Sequence, residues 1–253
     1  MRKLWTTVSI GALAAFGASM VAAQGGDEAP VSRSFDLGGF EEISVVGPHH
    51  IVVSVGPSFS VRAEGPQQTF EDTEVEVEDG RLKIHPVEDD RWDWRDGEWR
   101  DFWEDYKPAT FHITLPRVER VSLVGGGDMH VDRVEGGTFS ASVAGSGNLD
   151  LALLQVDVAR FSIAGSGDLV ARGSANRQRV SIAGSGNLRA REVTSNEASI
   201  SIAGSGNAEL TVENDARVSI VGSGDVDIAG PARCSVSRIG GGRVRCGGEN
   251  VTG

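Results

Sequence analysis

Apolar and polar positions alternate with period two through residues 118–240, and the alternation returns at a nearly constant interval. Four residues before a recurring glycine stand Val121, Ala141, Phe161, Val180, Ile200, Val218 and Val236. Two before it stand Leu123, Val143, Ile163, Ile182, Ile202, Ile220 and, as the exception, Arg238. A serine always separates the two: Ser122, Ser142, Ser162, Ser181, Ser201, Ser219 and Ser237. Apolar, serine, apolar marks a strand with one face buried. Past the glycine the inward set resumes at Leu149, Leu169, Leu188 and Val226, then at Leu151, Ala171, Ala190 and Ile228. Each unit is predicted as strand, glycine turn, strand and a short polar return.

The turn itself repeats as SVAGSGN (142–148), SIAGSGD (162–168), SIAGSGN (181–187), SIAGSGN (201–207) and SIVGSGD (219–225). SLVGGGD (122–128) and SRIGGGR (237–243) are degenerate flanking copies, and SVVGPHH (44–50) reads as a distant first member. From Gly125 onward the first glycines are spaced 20, 20, 19, 20, 18 and 18 residues apart. One such unit cannot bury its apolar stripe alone, whereas stacked units can. The expectation is an all-β, right-handed parallel β-helix-like solenoid of 18–20-residue repeats with GSG[ND] corners. Asn148, Asp168, Asn187, Asn207 and Asp225 would then form one corner column. Essentially no helix is expected outside residues 1–24 and 88–106.

Residues 35–87 read as short strands with turns at Gly47-Pro48, Gly56-Pro57, Gly65-Pro66 and Asp79-Gly80. Residues 88–106, EDDRWDWRDGEWRDFWEDY, break the pattern with nine acids, three arginines and four of the chain's five tryptophans. Trp92, Trp99, Trp103 and Tyr106 fall near helical spacing, while Trp92 and Trp94 alternate as in a strand, so the element type stays open. Two readings stand for this acidic insertion: a lid over one end of the solenoid, whose edges need covering, or a recognition surface. In the second, Trp92, Trp94, Trp99, Trp103 and Tyr106 form a ligand-binding set, and a glycan fits because indole faces stack on sugar rings.

Composition narrows the compartment and the partners. The chain has 253 residues and a formal charge of −12, which argues against nucleic acid, whose binders carry a basic footprint. Residues 1–23 combine Arg2 and Lys3, a short apolar run and a small-residue ending, Val21-Ala22-Ala23. This is the pattern of a cleaved signal peptide, with an uncleaved anchor as the alternative. Cleavage removes two basic residues, taking −12 to −14. Residues 24–32 then read as a linker and 33–253 as one domain, with no integral membrane segment after cleavage. Export to the periplasm or cell surface permits a Cys234–Cys246 disulfide, since both cysteines share the inward parity of strands flanking the last glycine turn. Buried free thiols are the alternative.

Catalytic and metal signals are sparse. Neither a phosphate-binding glycine loop nor a hydrolase elbow occurs, and the corner position is neutral Asn in three of five strict copies, too little charge for a serial calcium array. His49, His50, His85, His112 and His130 show no ligand spacing and read as scattered surface residues, with His49 and His50 on opposite faces. No cofactor is expected. The outward column Asp150, Val170, Arg189, Glu209, Asp227 reads as salt-bridged surface, with Arg189 above Glu209. It lacks the paired acids of a carbohydrate-active enzyme on a β-helix, which is the rival to a non-enzymatic envelope or surface module.

The GSG[ND] ladder, the opening FEEISVVG (40–47), RLKI (81–84), TFHITLP (110–116) and the closing IAGP (228–231) with Gly240–Gly242 resemble the putative auto-transporter adhesin family with its head GIN domain. The resemblance spans roughly residues 33–250. It implies an exported β-solenoid-like domain of undefined biochemistry and supplies no catalytic residues. The expectation is an adhesin-like module whose partner is a glycan, an envelope protein or a second copy of itself, with a purely structural module as the alternative.

Overall fold

In the repeat region the chain never leaves extended conformation for more than a few residues. The computed structural model describes residues 30–87 and 106–251; the expected signal segment and most of the tryptophan-rich segment lie outside them. The long strands β11 (Asn148–Gly165), β12 (Asp168–Gly184), β13 (Asn187–Gly204) and β14 (Asn207–Gly222) each run a full rung from one corner to the next. They pair in parallel with identical residues in register, so Ser162 faces Ser181 and Ser181 faces Ser201. The result is a β-solenoid of about six turns.

Burial along β11 shows how one strand closes a rung. Leu149 and Leu151 point in, then Leu154 and Val156, then Ala159, Phe161 and Ile163. The inward parity slips by one residue after Leu151 and again after Val156, so the chain bends twice between corners and the rung has three sides. The expected short polar return is therefore two further bends within continuous strand. The unequal repeat lengths are absorbed there. Register shifts fall between Leu151 and Leu154, between Val170 and Arg172, and between Ala190 and Glu197, always away from the GSG corners.

The corner needs glycine for a measurable reason. Gly165 has φ +125°, and its carbonyl accepts the N–H groups of Ser185 at 2.8 Å and Gly186 at 3.0 Å from the next rung. A Cβ on Gly165 would lie 2.3 Å from the carbonyl oxygen of Gly145, and one on Gly167 2.2 Å from that of Gly147. Backbone occupies the space that a side chain would need.

The first turns are assembled from shorter pieces: β2 (Glu42–Val46), β3 (His50–Val55), β8 (Arg120–Gly125), β9 (Asp128–Val131) and β10 (Val134–Gly145). β2 pairs β8 in parallel with Ser44 opposite Ser122, which makes Gly47 the first glycine of the column and SVVGPHH a true copy. Below this rung one more layer runs parallel to it, and the direction reverses in the layer beyond. β5 (Thr73–Glu78) and β6 (Arg81–Pro86) form a hairpin whose Asp79-Gly80 loop has φ +50° and +75°, and β6 then pairs β2. β7 (Thr110–Leu115) pairs β3, β4 (Ser60–Gly65) pairs β7 antiparallel, and β1 (Val31–Phe35) pairs β4 antiparallel. Val31 and Ser32, expected in the linker, thus already belong to a strand.

One helix departs from the expectation: α1 (Gln67–Glu71) follows Gly65-Pro66. It is held by Gln67 Nε2 donating to Glu71 at 3.0 Å, Gln68 Nε2 to Asp72 at 2.9 Å, and by burial of Phe70. A single turn is too short to leave a 3.6-residue stripe in the sequence.

At the other end β16 (Arg233–Ile239) stacks on β14, and β15 (Val226–Ala229) pairs β17 (Val244–Cys246). A disulfide joins Cys234 of β16 to Cys246 of β17, with Cα atoms 6.4 Å apart. Arg238 occupies the isoleucine column above Ile220 and turns its guanidinium onto the carbonyl of Gly242 at 2.6 Å. A charged group is tolerated there because no further described rung covers it.

Candidate functional site

The side chains singled out by the sequence fall in two places, the foot of the tryptophan-rich segment and the outer face just after the corners. Trp92, Trp94, Trp99 and Trp103 lie outside the described residues. Tyr106 is described, and it is buried. Its hydroxyl bonds the Thr73 hydroxyl and lies 3.1 Å from His49 Nε2. Tyr106 therefore anchors the returning chain instead of presenting a ring to a ligand, because its apolar ring and polar tip are both satisfied inside. Burial pushes its phenol pKa up. The outgoing chain is held at the same place: the Val87 N–H donates to the Asp72 carbonyl at 2.9 Å. Thr69 Oγ1 adds a bond to the Lys107 carbonyl at 3.0 Å. Both feet of the segment are thus fastened around Asp72 and Thr73, at the reversed end of the solenoid.

His49, read as a surface residue, is completely buried. Aligning SVVGPHH with SLVGGGD explains it, since His49 takes the inward place of Gly127, the third corner glycine. No rung of the repeat lies below, so an imidazole fits where glycine is required above. Its Nδ1 accepts the Ala109 N–H at 3.3 Å, which leaves Nε2 to carry the proton toward Tyr106. The ring packs edge-on against Phe111 at 5.2 Å. Burial first, then the charge of His50, lowers its pKa to about 4. His50 points outward, 3.4 Å from Asp128. His112 and His130 both lie beside Val52, on strands flanking β3. Among the described residues no group of three or more His, Cys, Asp or Glu side chains could hold a metal ion.

The corner column is a hydrogen-bonded ladder. Asn148 donates to Asp128 at 2.8 Å, Asn187 to Asp168 at 2.8 Å and Asn207 to Asn187 at 2.9 Å. Above them the Asp225 N–H donates to Asn207 Oδ1 at 3.0 Å, and Arg243 bonds the Asp225 carboxylate at 2.8 Å. Arg243 holds the Asp225 carboxyl below its ordinary range. The mixture of Asn and Asp now has a cause: stacked carboxylates repel, whereas an amide donates to the carboxylate next to it.

Beside the ladder runs the second outward column. Arg189 is in register with Glu209 as expected, but its ion pair goes to Asp168 at 3.0 Å. Glu209 is taken at 3.4 Å by Arg191, which also reaches Asp227 at 2.6 Å. Asp150 is bound by Arg172 at 2.6 Å and His130 at 3.1 Å. Two shallow depressions of about 410 and 500 Å³ follow these columns and meet at Arg189. They form an open groove whose carboxylates are already occupied by arginine, histidine or amide.

Several crystal structures share this architecture. A putative adhesin from Bacteroides fragilis superposes with TM-score 0.76 at 21% identity, covering 86% of this chain and 97% of its own. A putative lipid binding protein from Parabacteroides distasonis gives 0.66 at 22%, covering 85% and 96%. A putative adhesin from Parabacteroides merdae gives 0.64 at 18%, covering 87% and 96%. At these identities the likeness is one of fold. No curated protein sequence matches the chain. The family model described as putative auto-transporter adhesin, head GIN domain, matches residues 39–232, and the chain belongs to that family.

Proposed function

We propose that this protein is an exported, non-enzymatic, adhesin-like module of the cell envelope or surface that binds through the tryptophan-rich segment at residues 88–106. The observation that carries this reading is the fastening of both ends of that segment at Val87 and Tyr106 onto a rigid, densely bonded end of the solenoid. Loops on a rigid scaffold are where recognition concentrates, and tryptophan supplies most of the binding energy at such surfaces. Trp92, Trp94, Trp99 and Trp103 are the anchors; a glycan, an envelope protein or a second copy is the partner. Tyr106, buried and hydrogen-bonded, serves as the anchor of the returning chain. Among the described residues no helix is long and apolar enough to cross a membrane.

The groove after the corners supports a binding role over glycoside hydrolysis. That chemistry needs a carboxyl group whose pKa is raised to act as general acid. Here Asp150, Asp168, Glu209 and Asp227 are ion-paired, and Asp225 is shifted the opposite way.

The test is a glycan array and an envelope pull-down with the mature protein, with and without residues 88–105, and with the four tryptophans changed singly to alanine. Loss of the captured ligand in the tryptophan variants, with unchanged thermal midpoints, supports the reading. Retention of full binding in all four overturns it. Export is tested separately by the mass of protein recovered from the periplasm or surface, which should begin near residue 24.

A further inference from the structure

A different face of the solenoid carries an unpaired charge pattern. Five residues before each first glycine the side chain points outward, and strand pairing aligns Arg120, Ser140, Arg160, Arg179, Ser199, Arg217 and Ser235 in one column. Arg120 is neutralised by Glu42 at 2.6 Å. Arg160, Arg179 and Arg217 are exposed and make no ion pair among the described residues. Arg160 and Arg179 lie directly opposite each other on adjacent parallel strands, about 4.8 Å apart along the axis. Like charges so placed repel. Arg217 follows two rungs further on.

Neighbouring columns avoid such clashes. Two residues earlier on the same face Arg177 pairs Glu197 at 3.0 Å and Arg233 pairs Asp215 at 3.4 Å. Two residues later stand exposed serines, Ser162, Ser181, Ser201 and Ser219. In a chain of net charge −12, three aligned guanidiniums that no carboxylate pairs are a local excess that a bound anion would neutralise. The guanidinium fork matches a planar carboxylate or a sulfate with two parallel bonds, and the adjoining hydroxyls can donate or accept.

We propose that Arg160, Arg179 and Arg217, with the serine column beside them, bind a linear anionic polysaccharide laid along the solenoid axis. The column follows the strand stack, and its rung spacing is comparable to the length of one pyranose ring, so an extended acidic polymer can address several arginines. Nucleic acid fits less well, since single-stranded binders stack bases on aromatic side chains and this column has none beside it. An anionic bilayer finds no apolar anchor among these arginines and serines.

The experiment measures binding of the full mature chain to polygalacturonate and to dextran sulfate, with neutral dextran as control, at low and at physiological salt. The first polymer reads uronate recognition and the second sulfate. The wild type should bind at least one of them in a salt-weakened manner and ignore dextran. The triple variant Arg160→Gln/Arg179→Gln/Arg217→Gln, all on exposed positions, should keep its thermal midpoint and lose affinity by roughly tenfold or more. Arg191→Gln, on the groove face, should bind as wild type. Equal binding by the triple variant, absence of binding to both polyanions, or preference of the wild type for single-stranded oligonucleotide or anionic vesicles would each overturn the proposal.

Discussion

Asn187 reaches one rung down to donate its amide to the Asp168 carboxylate at 2.8 Å, while Arg189 takes the other oxygen of the same carboxylate at 3.0 Å. Asp168 is thus satisfied by two neighbours from the following rung. Changing Asn187 to Asp replaces a donor by a second carboxylate. It should lower stability by about 1 kcal/mol near neutral pH, from a lost hydrogen bond and a new like-charge contact. Raising the salt concentration should recover part of the loss, because the site is near the surface. An unchanged urea midpoint would mean that the ladder contributes nothing to stability.

The corner glycines should be far less replaceable than the serine between them. A Cβ on Gly165 would stand 2.3 Å from the Gly145 carbonyl, and its φ of +125° is one that side chains disfavour. Gly165→Ala should cost about 3 kcal/mol or more, since backbone on both rungs must move. Ser166→Ala, at an exposed position, should change stability by less than about 0.5 kcal/mol. Thermal unfolding of the two variants side by side makes the comparison.

Much of this was legible because a solenoid repeats its constraints. Glycine, serine and the alternating apolar positions are each forced by the rung above and the rung below, so one pattern is written several times. Even Gly47 is recognisable across an interval of 78 residues, and it stacks under Gly125. What escaped is what occurs once. His49 is buried because the layer below it has no glycine corner, and Tyr106 because it fills that space; neither condition leaves a periodic trace. The rung's third side was hidden because repeats of 18, 19 and 20 residues are reconciled there by register shifts. The arginine column was open to view, one position before the apolar residue that starts the alternation, and became meaningful only once ion pairs elsewhere had been assigned.

The inward and outward columns make opposite forecasts for the same substitution. Ile182 is 1% exposed and Ser181 is exposed on the adjoining position. Ile182→Asp places an unpaired carboxylate between Ile163 and Ile202 and should prevent folding or cost several kcal/mol, on the order of the penalty for burying a charge. Ser181→Asp should be nearly neutral, and its carboxylate would sit close to the unpaired Arg179. Similar urea midpoints for the two variants would contradict the inside–outside assignment.

Acid should weaken the reversed end through His49. Its folded pKa of about 4 lies below the ordinary 6.5, so the unfolded chain binds the extra proton between those values. Stability is then complete above about pH 6.5 and falls as the pH drops toward 4, by on the order of 3 kcal/mol in full. Urea midpoints measured across this window should fall with acid in the wild type and fall less in His49→Gln. Tyr106→Phe should cost about 1–2 kcal/mol at neutral pH by leaving His49 and Thr73 without their shared partner.

The disulfide should protect one end of the molecule and leave the rest alone. Cys234 and Cys246 are 12 residues apart and link β16 to β17 across the last corner. Closing a loop of this length stabilises by roughly 3 kcal/mol in the chain-entropy account. In a repeat array each rung contacts only its neighbours, so that free energy acts locally. The terminal rung needs it: Val236 is only half-buried, Arg238 replaces an isoleucine, and Ile239 is 70% exposed. Cys234→Ser/Cys246→Ser should therefore raise amide exchange in β16 and β17 by one to two orders of magnitude, about what 1.5–3 kcal/mol of local opening produces. Exchange in β11 and β12 should not change, because two or more rungs separate them from the bond. Equal acceleration throughout the solenoid would show that the rungs unfold as a single cooperative unit and that the disulfide secures the whole of it.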